Sequence, residues 1–65
     1  MKIILNGDAR DVHAGSLSAA LDELGFGGAV VATAVNGEFV AANARATTPL
    51  TEGDALEVLA PMQGG

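Results

Sequence analysis

The sequence predicts an α+β fold in which one helix lies across a mixed sheet of two hairpins and a last strand. Three observations carry this. Apolar, β-prone runs flank turn signals at Gly7-Asp8 and at Asn36-Gly37. Between the hairpins, Leu17, Ala20, Leu21 and Leu24 recur at i, i+3, i+4 and i+7, the spacing of one helical face. Near the end, Ala55 to Leu59 reads as a further strand. Helix and sheet each carry one apolar stripe, and packing one on the other buries both.

The first hairpin runs from Lys2 to Asn6 and back. A turn at Gly7-Asp8 suits type II′, with glycine at the first central position. It pairs Ile3 with Val12 and Leu5 with Arg10, and sets Ile4 against Asp11 and Lys2 against His13. Met1, Ile3, Leu5 and Val12 then share a face. A turn at Asn6-Gly7 would instead pair Ile3 with Arg10 and Leu5 with Asp8. The first register is preferred because it segregates the apolar side chains.

Ser16 is a good helix N-cap, and Gly25 stands where a C′ glycine stops a helix. Asp22 and Glu23 lie away from the apolar stripe, and Phe26 is placed to fold back onto the helix end. Gly27-Gly28 is a loop. Ala29 to Val35 is β-branched and reads as a strand, which Glu38-Phe39-Val40 pairs through Asn36-Gly37. Ala41 to Thr48 has no clear period. Pro49 and Thr51-Glu52-Gly53-Asp54 mark turns. Pro61 ends the last strand, because it offers no ladder N–H. The expected core is Ile3, Leu5, Val12, Leu17, Leu21, Leu56 and Val58.

Sixty-five residues make one domain. It is expected to span residues 1–60, with residues 61–65 as a flexible C-terminal tail. The absence of cysteine excludes disulfides, Cys-ligated zinc, iron–sulfur clusters and a thiol nucleophile. A net charge of −5, with only Lys2, Arg10 and Arg45 basic, argues against nucleic acid and an anionic membrane surface. It suits a partner with a basic docking face. No apolar run approaches the roughly 20 residues that span a bilayer. The short run after Met1 is not a signal peptide, so the expected location is the cytoplasm.

The catalytic inventory is nearly empty. His13 is the single histidine. With Asp11, Ser16 or Ser18 it spells a Ser-His-Asp set, but a hairpin edge supplies neither a convergent pocket nor an oxyanion hole. Glu52, Asp54 and Glu57 lack the spacing of a calcium loop and read as a solvated face. No metal site is expected.

Gly64 and Gly65 have no turn to make. With nine glycines in the chain, a terminal pair arises by chance about 2% of the time, so a chemical use is the better reading. A tail without Cβ atoms enters a narrow channel, whose walls approach the backbone closely. Its carboxylate is ionised at neutral pH and is a poor electrophile. Converted to an acyl-adenylate, it has AMP as a good leaving group, and a sulfur nucleophile takes the acyl group. On that reading the protein is a substrate with no catalytic residues of its own.

Several segments carry a resemblance. They are Ala32-Thr33-Ala34-Val35 before Asn36-Gly37-Glu38, then Pro49-Leu50-Thr51-Glu52-Gly53-Asp54, Leu56-Glu57-Val58-Leu59 and Pro61-Met62-Gln63-Gly64-Gly65. Together they resemble the sulfur carrier protein of thiamine biosynthesis, ThiS, over the whole chain. The resemblance implies the ubiquitin-like β-grasp fold. It also implies that an E1-like adenylyltransferase, using ATP and magnesium, adenylates Gly65. Sulfur from a cysteine desulfurase or a rhodanese-type protein then gives a thiocarboxylate, which donates sulfur to thiazole synthase. The carrier itself binds no cofactor. Ala41, Ala42 and Arg45 stand where the family often carries Pro-Arg and an aromatic.

By analogy with ubiquitin, Leu56 and Val58 point inward. Ala34, Phe39, Glu57 and Leu59 then form a docking face leading to the tail. Pro61, Met62, Gln63 and Gly64 would be read by the partner's channel. Three other readings remain open. They are a carrier for molybdopterin or cysteine synthesis, a ubiquitin-like protein modifier, and a non-covalent interaction module with an inert tail.

Overall fold

Seven elements follow one another in the computed structural model, which describes residues 1–60. They are β1 (Lys2–Leu5), β2 (Asp8–Asp11), α1 (Leu17–Glu23), β3 (Ala32–Val35), β4 (Glu38–Val40), a 3₁₀ helix (Ala42–Thr47) and β5 (Ala55–Leu59). The strands form one sheet in the order β2-β1-β5-β3-β4. β5 lies in the middle, parallel to β1 and antiparallel to β3. The parallel pairing of first and last strands joins the two hairpins into one mixed sheet.

The first hairpin adopts the register that the sequence reading set aside. Ile3 pairs with Arg10 and Leu5 with Asp8, while Ile4 faces Ala9 and Lys2 faces Asp11. Asn6 and Gly7 form the turn, both with positive φ, at 48° and 88°. A type I′ turn requires this at both central residues, and Asn-Gly is its preferred pair. Apolar segregation could not have decided the matter. Moving a two-residue turn by one position moves the pairing by two, so every side chain keeps its face. Val12 is buried in this register too, because its N–H and C=O bond Met1 just beyond the strand (2.8 and 2.7 Å).

α1 begins and ends as its sequence dictates. The Ser16 side chain accepts from the Ala19 N–H at 3.2 Å. At the other end Gly25 has φ +93°. Its N–H reaches the Asp22 carbonyl at 3.2 Å, and the Phe26 N–H reaches that of Leu21 at 2.8 Å. This pair of bonds is a Schellman motif, which satisfies carbonyls the helix leaves orphaned. Phe26 turns back and packs half-buried against the core, as expected.

All seven expected core residues are buried, joined by Ala20 and Leu50. Leu50 is carried in by the segment after the 3₁₀ helix. Its N–H bonds the Gly15 carbonyl, and Leu17 N–H bonds that of Thr48, so this segment pairs with the start of α1. Most of the aperiodic stretch Ala41 to Thr48 is the 3₁₀ helix Ala42–Thr47, which lies beside α1.

The third strand is shorter than its composition implies. Ala29 to Val31 lies outside β3, and Val30 is 79% exposed. Gly28 has φ +80°, and the Ala29 N–H closes a turn onto the Phe26 carbonyl at 3.0 Å. The backbone enters from that turn and meets β5 only at Ala32, opposite Leu59.

Asn6 does more than turn the chain. Its amide donates to the Val58 carbonyl at 3.1 Å and accepts from the Val58 N–H at 2.9 Å. Asn6→Ala removes both bonds, strands a buried N–H and leaves a Cβ residue without compensation at positive φ. It should cost about 2–4 kcal/mol. Asp8→Ala, next in the same hairpin, should stay within about 0.5 kcal/mol. Urea midpoints of the two variants give the comparison.

Candidate functional site

The sheet face away from α1 is built by alternation. Leu56 and Val58 point into the core, so Ala55, Glu57 and Leu59 point out. Ala34 pairs with both Phe39 and Glu57, and Ala32 pairs with Leu59. Cross-strand partners share a face, so the structure brings Ala34, Phe39, Glu57 and Leu59 together, as the sequence reading placed them. Phe39 is 73% exposed and Leu59 63%. An aromatic and an aliphatic side chain so exposed beside one carboxylate form an apolar surface with an acidic point.

This face continues to the end of β5. Val30, Val31, Ala32, Leu59 and Ala60 line an apolar cleft of about 280 Å³ where the chain leads out toward position 61. Val30 and Ala32 were not named as face residues from sequence. Their signal was parity, since both stand at even positions with Ala34 along one extended run. Pro61, Met62, Gln63, Gly64 and Gly65, the expected recognition and modification residues, lie outside the described residues.

Three of the carboxylates, Glu23, Glu52 and Asp54, serve the fold. The His13 side chain is 96% exposed, and its Nδ1 lies 3.1 Å from Glu23 Oε2. Its partner is thus a helix carboxylate and not Asp11, which pairs with Lys2 in the hairpin. Ser16 is occupied by its cap. Glu23 also accepts from the backbone N–H groups of His13 (2.9 and 3.0 Å) and Ala14 (3.1 Å). The His13 backbone bond contributes most to holding the Glu23 carboxyl below its ordinary value. Asp54 accepts from Thr51 N–H, Thr51 Oγ1 and Asn36 Nδ2, and the Thr51 N–H leads in lowering its carboxyl. Glu52 accepts from the Lys2 N–H, while Glu57 stands on the outer face. Among the described residues no three His, Cys, Asp or Glu side chains are grouped to hold a metal ion. Nor is any described helix long and apolar enough to cross a membrane.

The sequence model of the ThiS family matches residues 3–65. The chain belongs to the ThiS family. Its fold is the ubiquitin-like β-grasp, and the structural comparison agrees. The crystal structure of a thiamine biosynthesis protein (ThiS) from Geobacter metallireducens superimposes with a TM-score of 0.83 at 33% identity, covering 100% of both chains. An NMR solution structure of a thiamine biosynthesis protein from the same organism gives 0.78 at 29% identity, covering 100% of this chain and 88% of that one. A comparison with curated proteins finds no match.

Within this ThiS-family chain, Arg45 is engaged internally. Its Nη2 donates to the Val31 carbonyl at 2.6 Å and its Nε to Thr33 Oγ1 at 3.0 Å. Thr33, 2% exposed, donates in turn to the Val40 carbonyl at 2.8 Å. Thr33 and Val35 pair with β4, so the Val31 backbone turns to the same side. β4 ends at Val40 and the chain departs into the 3₁₀ helix, so a guanidinium supplies the donor that a strand would have supplied.

The Glu23 clamp ties the β2–α1 connection to the far end of the helix. Its folded pKa lies below the unfolded one. Its contribution to stability is therefore complete above about pH 4.5, the ordinary value, and is lost as pH falls through the folded pKa. Glu23→Gln should lower the urea midpoint at neutral pH. The gap between parent and variant should narrow as the pH is brought down to about 3.

Proposed function

We propose that this protein is a sulfur carrier of thiamine biosynthesis and acts as a substrate rather than as an enzyme. The observation that carries this reading is the family match, which runs through residue 65 and so includes the Gly64-Gly65 pair. The Gly65 carboxylate attacks the α-phosphorus of ATP in the site of an E1-like adenylyltransferase and expels pyrophosphate. ATP and magnesium belong to that partner. A persulfide sulfur from a cysteine desulfurase or a rhodanese-type protein then displaces AMP. Cleavage of the resulting S–S bond by a thiol reductant leaves the thiocarboxylate. Thiazole synthase takes sulfur from it. Because sulfur rides on the acyl carbon, the chain has no need of cysteine. All these steps belong to the cytoplasm.

Two parts of the chain divide the recognition. The apolar face of Ala34, Phe39, Glu57 and Leu59 docks, and Pro61, Met62, Gln63 and Gly64 thread the channel that leads to the reacting atom. Exposed aromatic side chains are enriched at interfaces, which supports Phe39 as the anchor. The acidic balance of the chain supports basic docking faces on the partners.

Protein isolated from its host should contain a species heavier by the difference between sulfur and oxygen. Adding a residue after Gly65 displaces the carboxylate by up to about 3.6 Å. An error of about 1 Å in a reacting geometry already costs roughly 100-fold. The extended chain, and one lacking Gly65, should therefore fold like the parent and fail to support ATP–pyrophosphate exchange by the cognate adenylating enzyme. Parent-like exchange by either would point to an inert tail and an interaction module, and lysine-linked adducts would point to a protein modifier.

Phe39→Asp should weaken binding to the same enzyme roughly tenfold or more, the scale of an aromatic hot spot. Its urea midpoint should match the parent's, because the side chain is mostly exposed. An unchanged titration would reduce Phe39 to packing on Ala34.

A further inference from the structure

Both hairpins turn at the same dipeptide, and Asn-Gly has a chemistry of its own. The glycine backbone nitrogen attacks the asparagine Cγ, an approach that no Cβ on the glycine hinders. A C–N bond forms and closes an imide ring. The Cγ–Nδ2 bond breaks, and ammonia leaves with the proton of the glycine N–H. Water then opens the ring. Addition at Cγ gives aspartate, and addition at the backbone carbonyl gives isoaspartate, whose main chain is longer by a methylene. Water is the sole co-reactant.

The two turns are matched as nucleophiles. Asn6, Gly7, Asn36 and Gly37 all have positive φ. A Cβ placed on Gly7 or on Gly37 would meet nothing within 4 Å, so both nitrogens are open to approach. Attack requires the asparagine amide to turn back over its own backbone, and in the structure each amide is aimed instead at β5 or the turn before it.

The holds on the two amides differ. Asn6 donates to the Val58 carbonyl at 3.1 Å and accepts from the Val58 N–H at 2.9 Å. Val58 is buried in the central strand, so turning this amide away leaves a buried N–H and C=O unpaired. Asn36 Oδ1 accepts from the N–H of Ala55, the exposed first residue of β5, at 2.9 Å. Its Nδ2 donates to Asp54 Oδ1 at 3.0 Å. Asp54 is itself fixed by the Thr51 N–H at 2.8 Å and Thr51 Oγ1 at 3.0 Å. Asn36 also lines an open hollow of about 560 Å³ with Glu38, Phe39, Thr51 and Asp54, where water replaces the lost partners of a turned amide.

We propose that Asn36 is a site of spontaneous modification, closing an imide with Gly37, and that the Asp54 carboxylate is the group that restrains it. Asn6 has the same sequence context and is held off by Val58. Either product at position 36 sets a carboxylate where Nδ2 had donated to Asp54, so like charges meet and the tie is lost. Isoaspartate in addition lengthens the main chain just ahead of β4, the strand that carries Phe39.

Each dipeptide serves as the other's control. The full-length protein is held in mildly alkaline buffer, folded and in concentrated urea, then digested and mapped by mass spectrometry. Modified peptides are heavier by the exchange of an amide NH2 for OH, and enzymatic methylation counts the isoaspartate. Each position's folded rate is divided by its own rate in urea. That ratio should be at least about fivefold higher at position 36 than at position 6, the scale of one hydrogen bond. Asp54→Ala should raise the folded rate at position 36 by about the same factor and leave position 6 unchanged. If both positions rise together the fold has opened. Asp54→Asn, which keeps an oxygen for the Thr51 N–H, then makes the comparison and should raise position 36 alone. Equal ratios in the parent, or a higher one at position 6, overturn the assignment of Asn36. A rate at position 36 that neither Asp54 variant raises selectively overturns the restraint by Asp54.

Discussion

The central strand is held at both of its edges by asparagine side chains, and the rest of the fold depends on this. β5 lies between two hairpins that have no other link within the sheet. Each hairpin turns at an Asn-Gly pair whose asparagine has positive φ, 48° at Asn6 and 50° at Asn36. That conformation aims each side chain at β5. The Asn6 amide makes both bonds to Val58, and Asn36 Oδ1 accepts from the Ala55 N–H at 2.9 Å. The two turns thus act as short extra strands. They extend the ladders past the point where β1 and β3 end, and they set the register of β5 against both neighbours.

Burial follows from that register. With Leu56 and Val58 directed inward, β5 meets Ile3 and Leu5 on one side and Thr33 on the other beneath α1. A core of nine aliphatic side chains and no aromatic one is small, and its margins are closed by polar ties. Glu23 gathers the β2–α1 connection, Asp54 the turn before β5, and Arg45 the approach to β3. Every buried side-chain N and O atom among the described residues has a partner. Buried polar groups left unpaired would cost about 1–3 kcal/mol each, which a domain of this size could ill absorb.

The same alternation that fills the core exposes the opposite face. Phe39 and Leu59 stand outward because their neighbours in sequence stand inward, so the stability of the core fixes the position of the apolar surface. That surface runs along β5 to the exit of the chain. Glu57, paired with Ala34, is the carboxylate set among the apolar residues of that face.

What the sequence determined by itself was local. Ser16 caps and Gly25 stops the helix because one side-chain oxygen and one missing Cβ act within a turn. The seven apolar residues at helical and strand periods all reach the core. Once the analogy with ubiquitin had turned Leu56 and Val58 inward, strand parity placed Ala34, Phe39, Glu57 and Leu59 on one face. The tertiary structure decided what depends on partners distant in sequence. Face parity could not choose between Gly7-Asp8 and Asn6-Gly7, since both turns preserve it. The choice went to Asn6-Gly7, where both central residues tolerate positive φ and the amide finds Val58, 52 residues away. Ala29 to Val31 has strand composition and is no strand, because a strand exists only where a neighbour can bond it. Arg45, read as a departure from the family pattern, proved to be the donor for the Val31 carbonyl. Its role appeared only once the 3₁₀ helix had brought it beside β3.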